Sequence, residues 1–187
     1  MTKSDGARLR TAAAIIDSAA TTLAEHGEAA SMDDIAAAAG IGRATLYRYF
    51  ANREELLSAM AEASVRELAE RIEEARLESV PIEEGVARLA RAFIATGNKF
   101  VALNADSAKY SAAYPDFDAK VTEPVRALLH RGIADGSLRA DLPADVQLDL
   151  FSGLIKGALD STASGRRGVE EAAAAVASVF LRGARTT

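Results

Sequence analysis

An all-α fold is predicted by three features of this chain. Only four of its 187 residues are proline, and Ala, Leu, Glu and Arg fill long segments that favour helix. Apolar residues recur three and four apart along most of the length, which is the helical period. Residues 31–56 read SMDDIAAAAGIGRATLYRYFANREEL, two short helical patterns meeting at a glycine with a third starting at once. The length permits one or two small domains with a real core. A composition of 49% hydrophobic and 26% charged residues is ordinary for a globular protein.

Nine helices follow in order. The first covers about 6–25 on the stripe Leu9, Ala12, Ala13, Ile16, Ala20, Leu23, and Gly27 ends it. Ser31 caps the second. Asp34 stands three residues on, where a capping box usually has Glu or Gln, so the box is expected to be imperfect. The third spans 43–50. The fourth starts near Asn52, an N-cap residue, with Glu54 and Glu55 in its first turn, and runs to about 77. Pro81 fits the first turn of the fifth. That helix carries the stripe Ile82, Val86, Leu89, Phe93, Phe100, with Thr96 and Gly97 where an apolar residue is expected. A sixth covers 104–113. A seventh lies within 118–134, with Pro124 as a restart or a kink. The eighth and ninth cover 143–163 and 169–182, separated by Gly165-Arg166-Arg167-Gly168.

Ile35, Ala36, Ala39, Ile41, Leu46 and Phe50 fall where a helix-turn-helix buries its small apolar wedge. Gly40 sits where the chain leaves the first helix of the pair, a position that favours glycine because φ is expected to be positive. Ala36 and Ala39 keep that helix thin enough for a close crossing. The next helix then presents Arg43, Thr45, Tyr47 and Arg48, donors and a ring suited to a major groove.

The run Ile35-Ala36, Ala39-Gly40-Ile41, Thr45-Leu46-Tyr47-Arg48-Tyr49-Phe50 and Arg53-Glu54-Glu55-Leu56 resembles the DNA-binding signature of the TetR family of transcriptional regulators. The likeness covers about a quarter of the chain. It implies a helix-turn-helix DNA-binding domain at 1–51 and a ligand-binding and dimerisation domain at 52–187. It further implies a repressor released from a pseudo-palindromic double-stranded DNA operator by a small apolar or aromatic effector. Carried over position by position, Arg43, Ala44, Tyr47 and Arg48 are expected to face base edges. Ser31, Thr45, Tyr49 and Arg53 are expected to meet phosphates. Asp33 is set aside, because a carboxylate near phosphate is unfavourable; its expected role is at the helix dipole. Arg8 and Arg10 either reach the DNA backbone or are solvated.

The same likeness implies a homodimer through the last two helices, 143–163 and 169–182, packed as a four-helix bundle. Val146, Leu150, Leu154, Ile155, Ala158 and Leu159 line one side of the eighth helix, where Gly153 and Gly157 open a groove. Ala172, Ala175, Val176, Val179, Phe180 and Gly183 mark the ninth. An effector pocket is implied among helices four to eight. Its expected aromatic liners are Phe93, Phe100, Tyr110, Tyr114, Phe117 and Phe151, with Asn104 and His130 as polar handles.

Net charge is −5, which a basic-patch rule does not anticipate for a DNA-binding protein. Residues 1–53 hold six basic and six acidic residues, leaving 16 of the 22 basic and 21 of the 27 acidic residues for the remainder. The negative excess therefore lies outside the expected reader. Within the reader the acids precede Gly40, and Arg43, Arg48 and Arg53 follow it; local placement sets the field at a groove.

Other classes find little support. There are no cysteines for a disulfide or a thiolate metal site. His26 and His130 fall in different predicted domains, a poor metal or acid–base signature. There is no glycine-rich phosphate loop and no nucleophile elbow, so neither enzyme activity nor a cofactor is expected. No apolar run reaches the ~18 residues of a membrane span, and MTKSDGARLR lacks a signal-peptide core, so a cytoplasmic protein is expected. The alternative function is a helical protein-interaction module without DNA binding. The intact Arg43-to-Arg53 set argues against it.

Overall fold

The computed structural model describes residues 3–101, 103 and 116–185. Eight α-helices form among them: α1 (Lys3–His26), α2 (Met32–Ala38), α3 (Arg43–Tyr49), α4 (Arg53–Glu74), α5 (Ile82–Lys99), α6 (Glu123–Ala134), α7 (Ala144–Ala163) and α8 (Val169–Ala184). Short 3₁₀ turns lie at Gly27–Ala29 and Leu77–Ser79. No strand forms among the described residues; Leu138 and Arg185 make one isolated antiparallel bridge. The all-α expectation holds. The helix expected at 104–113 lies outside the described residues, as do Asn104, Tyr110 and Tyr114.

The chain divides into two compact units, Met1–Ser64 with Lys99–Tyr110, and Val65–Asn98 with Ser111–Thr187. The division falls inside α4 rather than at residue 52. The reason is local: Leu56, Met60 and Ala61, in the first turns of α4, are buried with the first unit. The rest of that core is Ile15, Ile16, Ala19, Ala20, Leu23, Ile35, Ala36, Leu46 and Phe50. Leu9 does not join it and is 62% exposed. It lies seven residues before the buried Ile16, on the same helical face at ~100° per residue, but the core does not extend to that turn. The stripe on α1 therefore starts later than its first leucine.

The second unit has its own core, built from Leu68, Ile72, Ile82, Val86, Leu89, Leu128, Leu129, Phe151, Val176, Phe180 and their neighbours. Gly97, out of place in an apolar stripe, has a packing reason. A Cβ there would stand 2.5 Å from Leu159 Cδ2, so glycine lets Leu159 pack here where a larger residue would make that side chain shift. Arg76 ends α4 with φ +46°. Guanidinium groups satisfy the carbonyls around that corner: Arg88 Nη1 donates to Ala75 O (2.8 Å), and Arg131 Nη2 to Leu77 O (2.6 Å) and Val80 O (2.8 Å). Pro124 restarts the chain at the head of α6, after one π turn at Asp118–Thr122.

Candidate nucleic-acid interface

Ser31 starts the site. Its Oγ accepts from Asp34 N (3.2 Å), and Asp34 Oδ2 accepts from Ser31 N (2.8 Å) and Ser31 Oγ (2.6 Å). The capping box is therefore complete, correcting the expectation from Asp at that position: the shorter carboxylate still reaches back. The Ser31 hydroxyl and amide hold the Asp34 carboxyl below its ordinary pKa of 3.8. Because the folded value is the lower one, this box supports α2 at neutral pH and fails as acid protonates Asp34 below that range.

The turn that follows has a Schellman geometry. Gly40 takes φ +67°, Ile41 N donates to Ala36 O (3.0 Å) and Gly40 N to Ala37 O (3.1 Å). This closes α2 within one residue and frees the chain to start α3 at Arg43. Leu46, fully buried, anchors the inner face of α3, and Phe50 is buried just past its end. Arg43, Ala44, Tyr47 and Arg48 are exposed, at the i, i+1, i+4, i+5 spacing of one helical face. These are the four side chains the resemblance assigns to base edges. Thr45 and Tyr49 are half-buried on the flanks.

Three groupings were not evident from residue order. Arg43 Nη1 bonds Asp33 Oδ2 across the turn (2.9 Å), and its Cζ lies 5.4 Å from the Tyr47 ring centroid. Arg48 and Arg8 each place Cζ 5.9 Å from the Tyr49 ring centroid. Ala7, Arg8, Thr11, Arg48 and Tyr49 line a surface groove of about 340 Å³ between α1 and α3. Arg53, half-buried at the start of α4, donates from Nη1 to Ala30 O, next to Ser31. The structure thus sets Arg43 with Tyr47, Arg48 with Tyr49 and Arg8, and Arg53 beside Ser31. Arg8 and Asp33 are the partners that sequence reading left open or set aside.

The residues proposed for an effector are scattered by comparison. Phe93 and Phe151 meet edge-on in the second unit (6.3 Å between centroids), and Phe151 meets Phe180 likewise (5.2 Å). Phe117 packs on the same core. Phe100 is buried in the first unit. His130 is exposed on α6, whereas Phe151 and Phe180 are buried.

A buried wedge, a closed glycine turn and an exposed cationic face on its second helix define a helix-turn-helix protein. Comparison with known proteins agrees. The family profile described as "Bacterial regulatory proteins, tetR family" matches residues 15–60. The HTH-type transcriptional repressor LfrR of Mycolicibacterium smegmatis is 43% identical over 93 residues, 49% of this chain and 48% of that protein. The alignment thus spans about half the length of that relative. The HTH-type transcriptional repressor AcnR of Corynebacterium glutamicum is 26% identical over 161 residues, 81% of each chain. The crystal structure of LfrR from Mycobacterium smegmatis in complex with proflavine superposes with a TM-score of 0.73 at 26% identity, covering 95% of this chain and 99% of that one. Residues 15–60 thus match the TetR family, and the chain as a whole is similar to a TetR-like regulator. No helix of the described residues is long and apolar enough to cross a membrane.

Proposed function

We propose that this chain is a transcriptional repressor. It binds a pseudo-palindromic operator as a homodimer through α7 and α8, and a small apolar or aromatic effector releases it. The observation that carries the DNA reading is the exposed Arg43, Ala44, Tyr47, Arg48 face on a helix held by Leu46. Arg43 offers the fork that pairs with guanine O6 and N7, and Ala44 suits a thymine methyl. Arg8 and Tyr49 at their groove suit a phosphate, as do Ser31, Thr45 and Arg53.

The test is selection of an operator from a random duplex pool, followed by titration. Arg43→Ala should cost roughly 1–3 kcal/mol at one base pair per half-site and relax preference there. Arg8→Ala should weaken binding to every sequence and reduce the salt slope by about one. A chain that enriches no sequence and shifts no duplex is an interaction module instead.

Burial supports the dimer. Ala144, Gln147, Phe151, Ile155 and Thr162 face inward on α7, and Ala172, Val176 and Phe180 on α8. The opposite faces stay apolar: Val146 is 41% exposed, Leu150 54% and Val179 58%. Gly153 and Gly183 line a groove of about 580 Å³ between them, with Leu150, Leu154 and Val179. Gln147 Oε1 is buried at this groove with no hydrogen-bond partner among the described residues. A second copy fits such a face, since exposed apolar area of this kind marks interfaces.

The effector reading rests on the Phe93–Phe151–Phe180 ring series and on Thr96. Thr96 lies one helical turn from Phe93, with a buried Oγ1 that has no partner among the described residues. Aromatic walls with one polar handle suit an aromatic ligand, and LfrR is a relative seen in complex with proflavine. Proflavine should raise the melting temperature of the chain and release the selected operator. Phe93→Ala should weaken that release and leave ligand-free DNA binding intact. No stabilisation by proflavine or by a panel of aromatic compounds, with operator affinity unchanged, would remove the ligand-gated part and leave the DNA-binding part standing.

A further inference from the structure

We infer that Asp33 sets the specificity of DNA reading, by clamping the Arg43 guanidinium in position for a base edge and keeping it off phosphate. The inference rests on the DNA-reading function proposed above.

Two contacts fix the Arg43 head. Its Nη1 donates to Asp33 Oδ2 at 2.9 Å, and its Cζ lies 5.4 Å from the Tyr47 ring centroid. Asp33 comes from the first turn of α2 and Tyr47 from the second turn of α3, so the clamp bridges both helices of the motif. The Arg43 and Asp33 side chains remain 67% and 56% exposed. The clamp thus lies on the surface open to a duplex.

Exposure also says what the pair is not for. An ion pair in solvent contributes little to folding, and a carboxylate facing DNA opposes binding through the phosphates. A residue with little folding role and an affinity cost invites another account. A guanidinium has five N–H donors, and Asp33 engages one through Nη1. Enough remain for the two parallel bonds that guanine accepts at O6 and N7. A phosphate offers no such discrimination, and here it would approach an arginine whose charge is already met by a carboxylate. Asp33 therefore suppresses sequence-independent attraction at Arg43. The bonds that survive are those with a demanding geometry, and the difference between right and wrong sites widens.

The bland alternative is that Asp33 serves only the positive end of the α2 dipole. The two accounts separate in one experiment on the full chain. Wild type, Asp33→Asn, Arg43→Ala and the double variant are each selected against the same random duplex pool, then titrated on the wild-type motif and on random duplex over a salt series. Melting temperatures are recorded alongside.

The clamp predicts that Asp33→Asn loses about tenfold in discrimination at the base pair read by Arg43. It should also bind random duplex severalfold tighter with a salt slope steeper by about one. The melting temperature should stay near wild type. With Arg43 already alanine, Asp33→Asn should have no further effect at that base pair. A lowered melting temperature with the wild-type motif and random-duplex affinity retained would support the dipole role and overturn the clamp. So would an equal loss of discrimination with Arg43 absent. A wild-type chain that enriches no motif overturns the DNA reading itself. A motif that Arg43→Ala leaves intact removes Arg43 from base reading, and the clamp with it.

Discussion

Gly157→Glu is expected to turn a dimeric operator-binding protein into a folded monomer that no longer holds its operator. The expectation follows from where Gly157 points. A Cβ built on it meets nothing within 4 Å in its own chain. Glutamate is also a better helix former than glycine, by about 1 kcal/mol in a helix interior. The substitution should therefore leave the protomer at least as stable as before. In a two-fold pairing of α7 and α8, the same position would place a carboxylate from each copy against the partner. An uncompensated buried charge costs about 3–5 kcal/mol, and symmetry doubles the number of such groups. Sedimentation should show wild type as a dimer and the variant as a monomer at micromolar concentration, with the helical circular dichroism of both alike. Operator affinity should fall steeply, because one reader then binds one half-site and the link across ~34–36 Å of DNA is lost. A wild-type chain that sediments as a monomer would sink the interface assignment. A Gly157→Glu chain that stays dimeric would move the interface off this face.

The reader was legible because its constraints are local. Gly40 must follow α2 at once, Leu46 must point inward, and Arg43, Ala44, Tyr47 and Arg48 then point outward by helical geometry alone. On α7 and α8 the apolar residues occupy two faces, so one stripe conceals two surfaces. Burial separates Ile155, Val176 and Phe180, which pack inward, from Leu150 and Val179, which do not. Pairings between distant residues leave no periodic trace. Arg8 meets Tyr49 across 41 positions, and only the packing of the first unit brings them together. Leu9 is the converse case, a large apolar residue at plausible helical spacing that no neighbour covers. Aromatic residues of the second half gave no spacing signal separating a ligand wall from core. Phe93 and Phe151 meet, while His130 faces solvent.

Leu46→Ala is expected to abolish operator binding and leave the dimer in place. Helix α3 has seven residues, too few to be stable alone in water. Its inner anchor is Leu46, completely buried among the first unit's core. Truncation of a buried leucine to alanine costs about 2–5 kcal/mol, through lost transfer energy and the cavity left behind. Against the ~5–15 kcal/mol that holds a typical domain, that is a large fraction. It also falls on the element that carries Arg43, Ala44, Tyr47 and Arg48. Loss of the wedge should free α3 to fray, and the entropy of re-ordering it would then oppose every DNA contact. The cluster running from Leu68 to Ala184 contains no residue of α1, α2 or α3, so the second unit should keep its core and its pairing. Thermal unfolding should show an earlier loss of part of the helical signal. Sedimentation should still report a dimer, and the shift assay should show no complex at concentrations that saturate wild type. Gly157→Glu and Leu46→Ala would then lose DNA for opposite reasons, one through assembly with readers intact and the other through the reader with assembly intact. Wild-type operator affinity in Leu46→Ala would mean that α3 is not the reading helix, and the DNA-contact face would have to be sought elsewhere on the chain.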